Sequence, residues 1–337
     1  MTNFIIEVAN THGGDKKYLL DLIQEFESFK QHGIKFQPLH PEKIATPDFQ
    51  WYPVYQELFF ERDEWKEIIE KAKESKRVWL DIFDTYGVAI LKDNLGSLYG
   101  IKLQASILYN EEVIEALAEA DCSRLKLIIN ISAIDLEHVE ERIESLQKKI
   151  APEQILLEVG FQAYPTKLQD CGLNKIKVLK ERFDFPIVFA DHAAGESKDA
   201  LTLPLIASML GADYLEKHVM HSRLETKYDH FSAIQVDKYG ELVQMVSDYS
   251  GLHDMAFINK KEIEYLKNSI QKPIASKNLN AGQLVNSVLD LKFRRSGADG
   301  LSALDIKELT KGGYVLSQNI QEGKTFQRVA FKKAIIG

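Results

Sequence analysis

The stretch "LKLIINISAIDLEHVEERIESLQKKIAPEQILLEVG", residues 125–160, contains the repeating unit of the chain. Its apolar start, 125–132, and its apolar end, 155–160, each predict a β-strand. Between these runs apolar residues recur at helical spacing, at Leu136, Val139, Ile143, Leu146 and Ile150. This spacing predicts a helix with one buried face. The stretch is therefore a strand–helix–strand unit, from which parallel sheets are built.

Similar apolar runs are found throughout the first two thirds of the chain. They cover residues 4–9, 33–37, 77–83, 100–105, 125–132, 155–160, 186–192 and 213–219. Most intervals contain a helix-period segment, such as 85–95 and a segment that Thr202 and Pro204 open and Gly211 closes. Eight strand–helix repeats predict a (β/α)8 barrel. An open doubly wound sheet is the alternative, although it does not usually need eight parallel strands.

The composition is that of a globular protein with one large domain and a small second one. The 337 residues are 45% hydrophobic and 27% charged. Two cysteines are too few for a disulfide framework or a cysteine metal cage, which indicates a reducing compartment. No apolar run has the length of a membrane helix, and the N-terminus predicts a strand instead of a signal peptide. We therefore expect a cytoplasmic protein without a membrane partner.

The charge is distributed unevenly along the chain. The net charge is −8, but residues 271–337 carry +6 and the remainder carries −14. A basic tail can bind nucleic acid. Here, however, apolar residues recur through the tail as core residues would, at Ile274, Leu279, Leu284, Val288 and Leu291. This pattern favours a small folded domain whose charge complements an acidic partner, the rest of this protein, and we expect no nucleic acid.

Polar residues concentrate where the predicted strands end. In a barrel of this kind the carboxyl ends of the strands form the active face, and period-two alternation identifies the side chains that point inward there. These side chains are Glu7, Lys35, Gln37, Lys102, Gln104, Glu158, His192, Glu216 and His218. A structural barrel would place Val, Ile and Leu at such positions. So many ionisable groups in one volume are costly unless they pair or bind a ligand.

The two histidines end neighbouring strands, beside acidic residues. "VFADHAAG" (189–196) contains His192, and "YLEKHVMHS" (214–222) contains His218. Two imidazoles with a nearby carboxylate suit Mn²⁺, Zn²⁺ or Fe²⁺. A strand-end histidine can equally be a hydrogen-bonded structural residue, and Glu216 or Lys102 can be half of a buried ion pair. The spacing alone leaves these alternatives open.

Seven motifs, in this order, resemble the signatures of the N-acetylneuraminate (sialic acid) synthase family. They are "EVANTHGGD" (7–15), "KFQ" (35–37), "GIKLQAS" (100–106), "AYPT" (163–166), "FADH" (189–192), "LGADYLEKHV" (210–219) and "YDHFS" (228–232). The segment 275–309 resembles that family's antifreeze-like (SAF) domain. The resemblance covers nearly the whole chain. It divides the chain into a barrel at 1–260, a linker at 261–273 and an SAF domain at 274–337.

The resemblance implies an activity and a set of roles. Members of the family condense phosphoenolpyruvate with an open-chain N-acylated sugar aldehyde, such as N-acetylmannosamine, to give a nine-carbon 2-keto sugar acid and phosphate. His192 and His218 would hold a divalent metal, typically Mn²⁺, with Mg²⁺ or Co²⁺ as alternatives. Glu7 would manage the water that attacks phosphoenolpyruvate. The implied substrate-binding residues are Lys35, Gln37, Lys102, Ser106, Ser132, Gln162, Tyr164, Asp229 and Arg295. Arg295 would act from the SAF domain of a partner chain, in a domain-swapped homodimer.

Several loops depart from the family pattern. "DIFD" (81–84) brings two acids near the expected anion site, and in "KLQAS" the hydroxyl moves to Ser106. "NISAI" (130–134) keeps only Ser132, and "KYDH" (227–230) replaces a glycine–proline loop. Hydroxyl donors to a phosphate are thus lost or moved. The long aromatic connection at 40–65 is a further candidate, either as a lid or as packing against the barrel.

Two rival functions remain compatible with these residues. The first is a Schiff-base aldolase or lyase that uses Lys102 as its nucleophile and has no need of paired histidines. The second is a sugar-binding protein without catalysis, which the altered loops favour. The joint presence of Glu7, Lys35, Lys102, His192 and His218 argues against the second.

Overall fold

The computed structural model describes residues 2–252 and 256–334. The chain divides into two compact units, Met1–His253 and Asp254–Gly337. Within the described residues, no helix combines the length and apolar character needed to cross a membrane.

The first unit is a closed barrel of eight parallel strands. The strands are β1 (Asn3–Glu7), β2 (Gly33–Phe36), β3 (Arg77–Ile82), β4 (Leu98–Leu103), β5 (Lys126–Asn130), β6 (Gln154–Val159), β7 (Ile187–Asp191) and β8 (Tyr214–His218). They lie in chain order around the barrel, and β1 pairs with β8 to close it. The eight predicted runs and the (β/α)8 fold are thereby confirmed.

Helices follow the strands as in a (β/α)8 barrel. They are α1 (Lys16–Glu25), α2 (Pro41–Ile44), α3 (Tyr52–Leu58), α4 (Arg62–Lys73), α5 (Thr85–Asn94), α6 (Glu111–Ala118), α7 (Leu136–Ile150), α8 (Asn174–Arg182), α9 (Asp199–Met209) and α10 (Val236–Ser250). Helix α7 buries Val139, Ile143, Leu146 and Ile150, as its spacing predicted. The connection at 40–65 contains α2, α3 and the start of α4.

The predicted start of α9 was wrong. The helix begins at Asp199, and both Thr202 and Pro204 lie inside it. The hydroxyl of Ser197 accepts a hydrogen bond from the Asp199 backbone N–H at 3.1 Å, so the first turn forms before Thr202 is reached. The ring of Pro204 is buried, and this packing offsets the backbone hydrogen bond that proline cannot donate.

The barrel interior has an apolar lower layer and a polar upper layer. Near the amino-terminal ends of the strands, an apolar cluster contains Ile5, Trp79, Ile128, Leu156, Val188 and Tyr214. The indole of Trp79 requires glycine on the neighbouring strand, because a Cβ at Gly100 would lie 2.3 Å from its ring. The residues two places further along these strands are mostly charged, so the barrel floor is packed and chemistry is left to the other end.

The second unit has its own small core. Its elements are α11 (Lys260–Ser269), β9 (Lys272–Ala275), β10 (Leu291–Arg294), α12 (Ala303–Lys311), β11 (Tyr314–Leu316) and β12 (Phe331–Lys333). Strands β9 and β10 pair antiparallel, as do β11 and β12. The segment expected as a linker is largely helical, because Asn259 and Glu262 form a capping box at the start of α11.

The predicted core of this unit was only partly right. Leu279 and Leu291 are buried, together with residues such as Ile306, Leu316 and Phe326. Leu284 and Val288 are 55% and 82% exposed, so their assignment to the core was wrong. They lie in a region without regular structure, where the spacing of apolar residues does not determine which side faces inward.

Candidate active site

Side chains from all eight strands converge at the carboxyl end of the barrel. The alternation that places Ile5 in the lower layer places Glu7 in the upper one, and the other strands follow the same rule. The charged members of this layer are Glu7, Lys35, Asp81, Lys102, Glu158 and Glu216, each no more than 2% exposed. The structure therefore brings together the inward-facing ionisable residues predicted from the sequence.

Glu216 is the centre of this group. Its Oε2 lies 2.5 Å from the Nζ of Lys35, and its Oε1 lies 2.9 Å from the Nζ of Lys102. Lys35 also lies 2.7 Å from Glu7 Oε2, and Lys102 lies 2.6 Å from Glu158 Oε1. The two lysines thus share one carboxylate and have one further carboxyl group each.

Amide side chains extend the group toward the barrel mouth. Gln104 donates from Nε2 to Asp81 at 2.6 Å and accepts from Gln162 Nε2, also at 2.6 Å. Asn130 donates to Glu158 at 2.7 Å, and Gln37 donates to Glu7 at 3.3 Å. A layer of neutral hydrogen-bonding groups therefore covers the charged centre.

Several buried atoms of the centre have no hydrogen-bond partner among the described residues. They are Glu7 Oε2, Lys35 Nζ, Asp81 Oδ1, Glu158 Oε2 and Glu216 Oε2, with Nδ1 of both His192 and His218. The contacts of Lys35 with Glu7 and Glu216 have ion-pair distances but not the angles of hydrogen bonds. Native proteins satisfy nearly all buried polar atoms, so such a concentration points to a site built to receive a ligand.

The electrostatics of the centre favour charged lysines. Burial lowers the pKa of Lys102, but Glu158 and Glu216 outweigh burial, and the pKa is raised well above its usual value. Lys35 shows the same balance, with Glu216 and Glu7 raising its pKa. Burial also opposes the ionisation of Glu216, whose pKa is nevertheless lowered by Lys102 and Lys35. This central triad is therefore ionised at neutral pH.

The outer carboxyl groups behave differently. Burial raises the pKa of Glu7 to about 8, against the attraction of Lys35. Burial and the charge of Glu216 raise the pKa of Glu158 to about 7, and burial raises the pKa of Asp81. Four carboxyl groups face two lysines, so part of this excess is neutralised by bound protons. A carboxyl group that titrates near neutral pH can exchange protons with a bound substrate.

His192 and His218 lie next to each other at the ends of β7 and β8. Their ring centroids are 4.9 Å apart, and the ring of Tyr164 lies 5.2 Å from the first and 5.5 Å from the second. Burial and Lys102 lower the pKa of His192 to about 3. Burial and the neighbouring His192 lower the pKa of His218. Both rings are thus neutral, the form in which imidazole binds a metal.

The residues fit a metal with two protein ligands. Within residues 2–252 and 256–334, no three His, Cys, Asp or Glu side chains are grouped as a metal site. The two neutral imidazoles, each with an unpartnered Nδ1, would leave most coordination positions to substrate and water. Such an open arrangement is typical of catalytic rather than structural metal sites.

A cavity of about 460 Å³ opens above this centre. Gln37, Ser106, Gln162, Tyr164 and Asp229 line it, as do Asn10, Leu39, Lys43, Ile44, Tyr55, Phe83, Gln104, Ile107 and Asn110. Asp229 accepts a hydrogen bond at 3.0 Å from the backbone N–H of Asn10. Five of the predicted substrate-binding residues therefore share one cavity.

Two predicted substrate-binding residues are placed elsewhere. The hydroxyl of Ser132 donates to the carbonyl oxygen of Gly160 at 2.9 Å and does not line the cavity. Arg295 lies in the second unit, directly after β10. Asp84, one of the two acids noted near the anion site, caps α5 by accepting from the Gly87 N–H at 2.8 Å.

Some functional candidates escaped the sequence analysis. Lys43 lines the cavity from α2, and Asn130 holds Glu158 from β5. Lys217 and Asp191 form a 2.5 Å ion pair between β8 and β7, directly beside the two histidines, and both are buried. The sequence could have indicated this ion pair, because Asp191 directly precedes His192 and Lys217 directly precedes His218. Neighbouring parallel strands then bring Asp191 and Lys217 into register.

Comparison with known proteins gives a consistent picture. A family model described as "NeuB family" matches residues 22–255. The chain is 24% identical to uncharacterized protein MJ1065 of Methanocaldococcus jannaschii, over all of this chain and 95% of that protein. It is 22% identical to N,N'-diacetyllegionaminic acid synthase of Legionella pneumophila, over 74% of this chain and 72% of that protein.

A solved structure shares the fold. The N-acetylneuraminic acid (sialic acid) synthetase of Leptospira borgpetersenii, in complex with citrate, superimposes with a TM-score of 0.69 and 23% identity. The match covers 80% of this chain and 92% of that one. At this identity the likeness supports the (β/α)8 architecture.

Proposed function

The chain belongs to the NeuB family of carbon–carbon bond-forming transferases, and we propose that it condenses phosphoenolpyruvate with an N-acylated amino-sugar aldehyde. The products are a nonulosonic acid, which is a nine-carbon 2-keto sugar acid, and inorganic phosphate. The acceptor is of the N-acetylmannosamine type, a class that includes the diacetamido sugars leading to legionaminic acids. The relative from Legionella pneumophila supports this class of product by its name.

The observation that carries the proposal is the charged centre under the cavity. Lys35 and Lys102 are held 2.5 Å and 2.9 Å from one carboxylate, and Lys35 Nζ has no hydrogen-bond partner among the described residues. Lys35 would contact an anionic substrate once Glu7, whose pKa is about 8, holds a proton and no longer competes for the lysine. We assign the carboxylate and phosphate of the donor to the two lysines, with the amides of Gln37, Gln104 and Gln162 completing its contacts.

The reaction requires one proton to be delivered and another to be removed. When C3 of phosphoenolpyruvate attacks the aldehyde carbon, negative charge develops on the aldehyde oxygen and positive charge at C2. Water then adds to C2, and the C2–O bond to phosphate breaks while the proton of the new C2 hydroxyl passes to the leaving phosphate, which gives the ketone. Glu7 suits both transfers, because its pKa near 8 leaves it protonated before the attack and basic after it. The ionised Glu216 stabilises the positive charge at C2.

We assign His192 and His218 as the ligands of a divalent metal, with Mn²⁺ as the first candidate and Mg²⁺ or Co²⁺ as alternatives. When bound there, the metal supplies Lewis-acid polarisation of the aldehyde. Tyr164 packs against both imidazoles and fixes their orientation. Asp229, whose pKa burial raises, and Ser106 face the acceptor across the cavity.

We further propose that the functional species is a homodimer. In it, residues 274–337 act as an SAF domain, and Arg295 of one chain contacts the N-acyl group held by the barrel of the other. The support is the +6 charge of residues 271–337 against the −14 charge of the remainder. We also propose that the enzyme is cytoplasmic and that these small molecules are its substrates.

The rival lysine mechanism has a specific observation against it. A Schiff base requires an unprotonated lysine, whereas Glu158 and Glu216 hold Lys102 in its charged form. A sugar-binding protein without catalysis does not need the ion pairs of Glu216 with Lys35 and Lys102. Burying these charges costs desolvation free energy.

The experiment is an assay of phosphate release. Phosphoenolpyruvate is incubated with a panel of N-acylated amino-sugar aldehydes, with Mn²⁺ and then with excess chelator. We expect release that depends on both the aldehyde and the metal. Release that persists in the chelator would contradict the metal-dependent reaction. Trapping of pyruvate on Lys102 by borohydride would instead establish the Schiff-base mechanism.

A further inference from the structure

Lys43 is the exposed cation of the cavity at the barrel mouth. It lies on α2, and it is the only lysine or arginine among the described residues that line the 460 Å³ cavity. The other polar residues that line this cavity are neutral, apart from Asp229. Lys43 also lines a neighbouring cavity of about 510 Å³, together with Glu42, Ile44 and Tyr55. The side chain of Lys43 is therefore exposed to both cavities.

The lysines beneath the cavity carry no excess of positive charge. Lys35 and Lys102 lie within 4.0 Å of four carboxyl groups, those of Glu7, Asp81, Glu158 and Glu216. Both lysines are paired with Glu216, so an entering dianion meets a centre whose positive charge is already balanced in part. A cation outside this group and without an ion pair would supply the attraction that the paired lysines lack.

Lys43 meets that requirement because none of the ion pairs formed by the described residues includes it. The hydroxyl of Ser132 does not supply a phosphate contact here, because it donates to the carbonyl oxygen of Gly160 and does not line the cavity. A flexible ammonium group is a common substitute for such donors.

The backbone that presents Lys43 is anchored on several sides. The His40 N–H donates to Asp84 Oδ2 at 2.8 Å, and the Lys43 N–H donates to the His40 carbonyl at 2.9 Å. At the end of α3, the hydroxyl of Tyr228 donates to Glu57 at 2.7 Å. The carbonyl of Glu57 packs so closely on Gly14 that a Cβ there would lie 1.8 Å away. The segment that carries Lys43 is therefore anchored at His40 and at Glu57.

We propose that Lys43 binds the phosphate group of a substrate at the mouth of this cavity. The inference rests on the proposed function, and it adds a residue that the family resemblance does not assign. Two substrates could supply the phosphate: the phosphoenolpyruvate donor, or an acceptor sugar that is itself phosphorylated. The chemistry that Lys43 recognises is the same in both cases, a phosphate dianion.

The test compares Lys43→Met with Lys43→Arg and with a matched control, Lys148→Met. Lys148 is also exposed and without an ion pair, but it lies near the end of α7, at the opposite end of the barrel. Binding of inorganic phosphate to the metal-free protein is followed by ³¹P nuclear magnetic resonance. The Michaelis constants for phosphoenolpyruvate and for phosphorylated and unphosphorylated sugars are measured in parallel.

We expect Lys43→Met to weaken phosphate binding about tenfold or more, the usual effect of losing a charge-assisted hydrogen bond. Lys43→Arg should retain most of the binding, and Lys148→Met should match the wild type. A rise in the Michaelis constant for phosphoenolpyruvate alone identifies the donor phosphate. A rise for the phosphorylated sugar alone identifies the acceptor.

Two results overturn the proposal. One is inorganic phosphate binding that is unchanged in Lys43→Met or undetectable in the wild type. The other is an unchanged Michaelis constant for every phosphorylated substrate. If no aldehyde is converted at all, the proposed function fails, but the phosphate titration still decides whether Lys43 binds a phosphate.

Discussion

Lys35 and Glu216 form an ion pair of 2.5 Å at the centre of the barrel, where neither side chain is more than 1% exposed. Such pairs contribute little to stability as a whole, because the desolvation of both charges offsets their attraction. A buried pair is retained at a site when its charges are needed for something else. Here they lie beneath the cavity at the barrel mouth, where we propose that the substrate binds.

Removing one charge of this pair should destabilise the protein. Glu216→Gln leaves Lys35 and Lys102 buried without their shared carboxylate, which should lower the free energy of unfolding by about 3 kcal/mol. The control is Glu119→Gln, which breaks the surface pair with Lys92 and should cost about 0–1 kcal/mol. Urea denaturation measures both. Equal losses would show that the central charges are not desolvated as described.

Glu158 should make stability depend on pH. Its pKa is about 7 in the folded barrel and near the ordinary 4.5 when unfolded. The folded state therefore holds its proton more tightly, and this contribution to stability is lost as the pH rises from about 4.5 to about 7. Relative to Glu158→Gln, the wild type should lose free energy of unfolding across that window. A difference that is flat with pH would mean that Glu158 is ionised throughout.

The two histidines should be required for metal binding. His192→Ala or His218→Ala should weaken Mn²⁺ binding by more than the roughly 10–100-fold typical of losing an outer-shell partner. His32→Gln is the control, because His32 precedes β2 at the opposite end of the barrel and bonds Tyr239 at 3.0 Å. Electron paramagnetic resonance of Mn²⁺ reports the free ion directly. If each alanine variant binds as the wild type does, the site lies elsewhere.

Mixed dimers test the role of Arg295. Arg295→Ala and His218→Ala chains should each be inactive alone. A mixed dimer contains one barrel with an intact His218, completed by an intact Arg295 from the other chain. Co-expression should therefore restore part of the activity. Verified mixed dimers without recovery, or a monomer by light scattering, would exclude completion of the site by a partner.

The sequence alone was sufficient to identify the side chains that face into the barrel. Parallel strands alternate with a period of two, so one well-placed strand end such as Glu7 identifies its inward neighbours from local pattern alone. The same rule correctly placed Lys102, Glu158 and Glu216. Glycine at Gly100 opposite Trp79 could not be anticipated, because the contact joins two strands through the barrel interior.

The ion pairs and the residues of the cavity wall could not be predicted from the spacing of residues in the sequence. Lys35 and Lys102 were expected to bind anions, but their distances from four carboxyl groups depend on the stagger of the closed barrel. Lys43 was missed because a lysine on a one-turn helix has no periodicity to reveal which way it faces. Val288 was wrongly placed in a core for a similar reason, since it lies outside any helix or strand.

The most direct test of the account is the fate of the carbons of phosphoenolpyruvate. Uniformly ¹³C-labelled phosphoenolpyruvate is incubated with Mn²⁺ and the aldehyde panel, and the products are analysed by mass spectrometry. We expect a sugar acid that contains all three labelled carbons, formed in equal amount to inorganic phosphate. Labelled pyruvate with an unchanged sugar, or no consumption of phosphoenolpyruvate with any aldehyde, would contradict it.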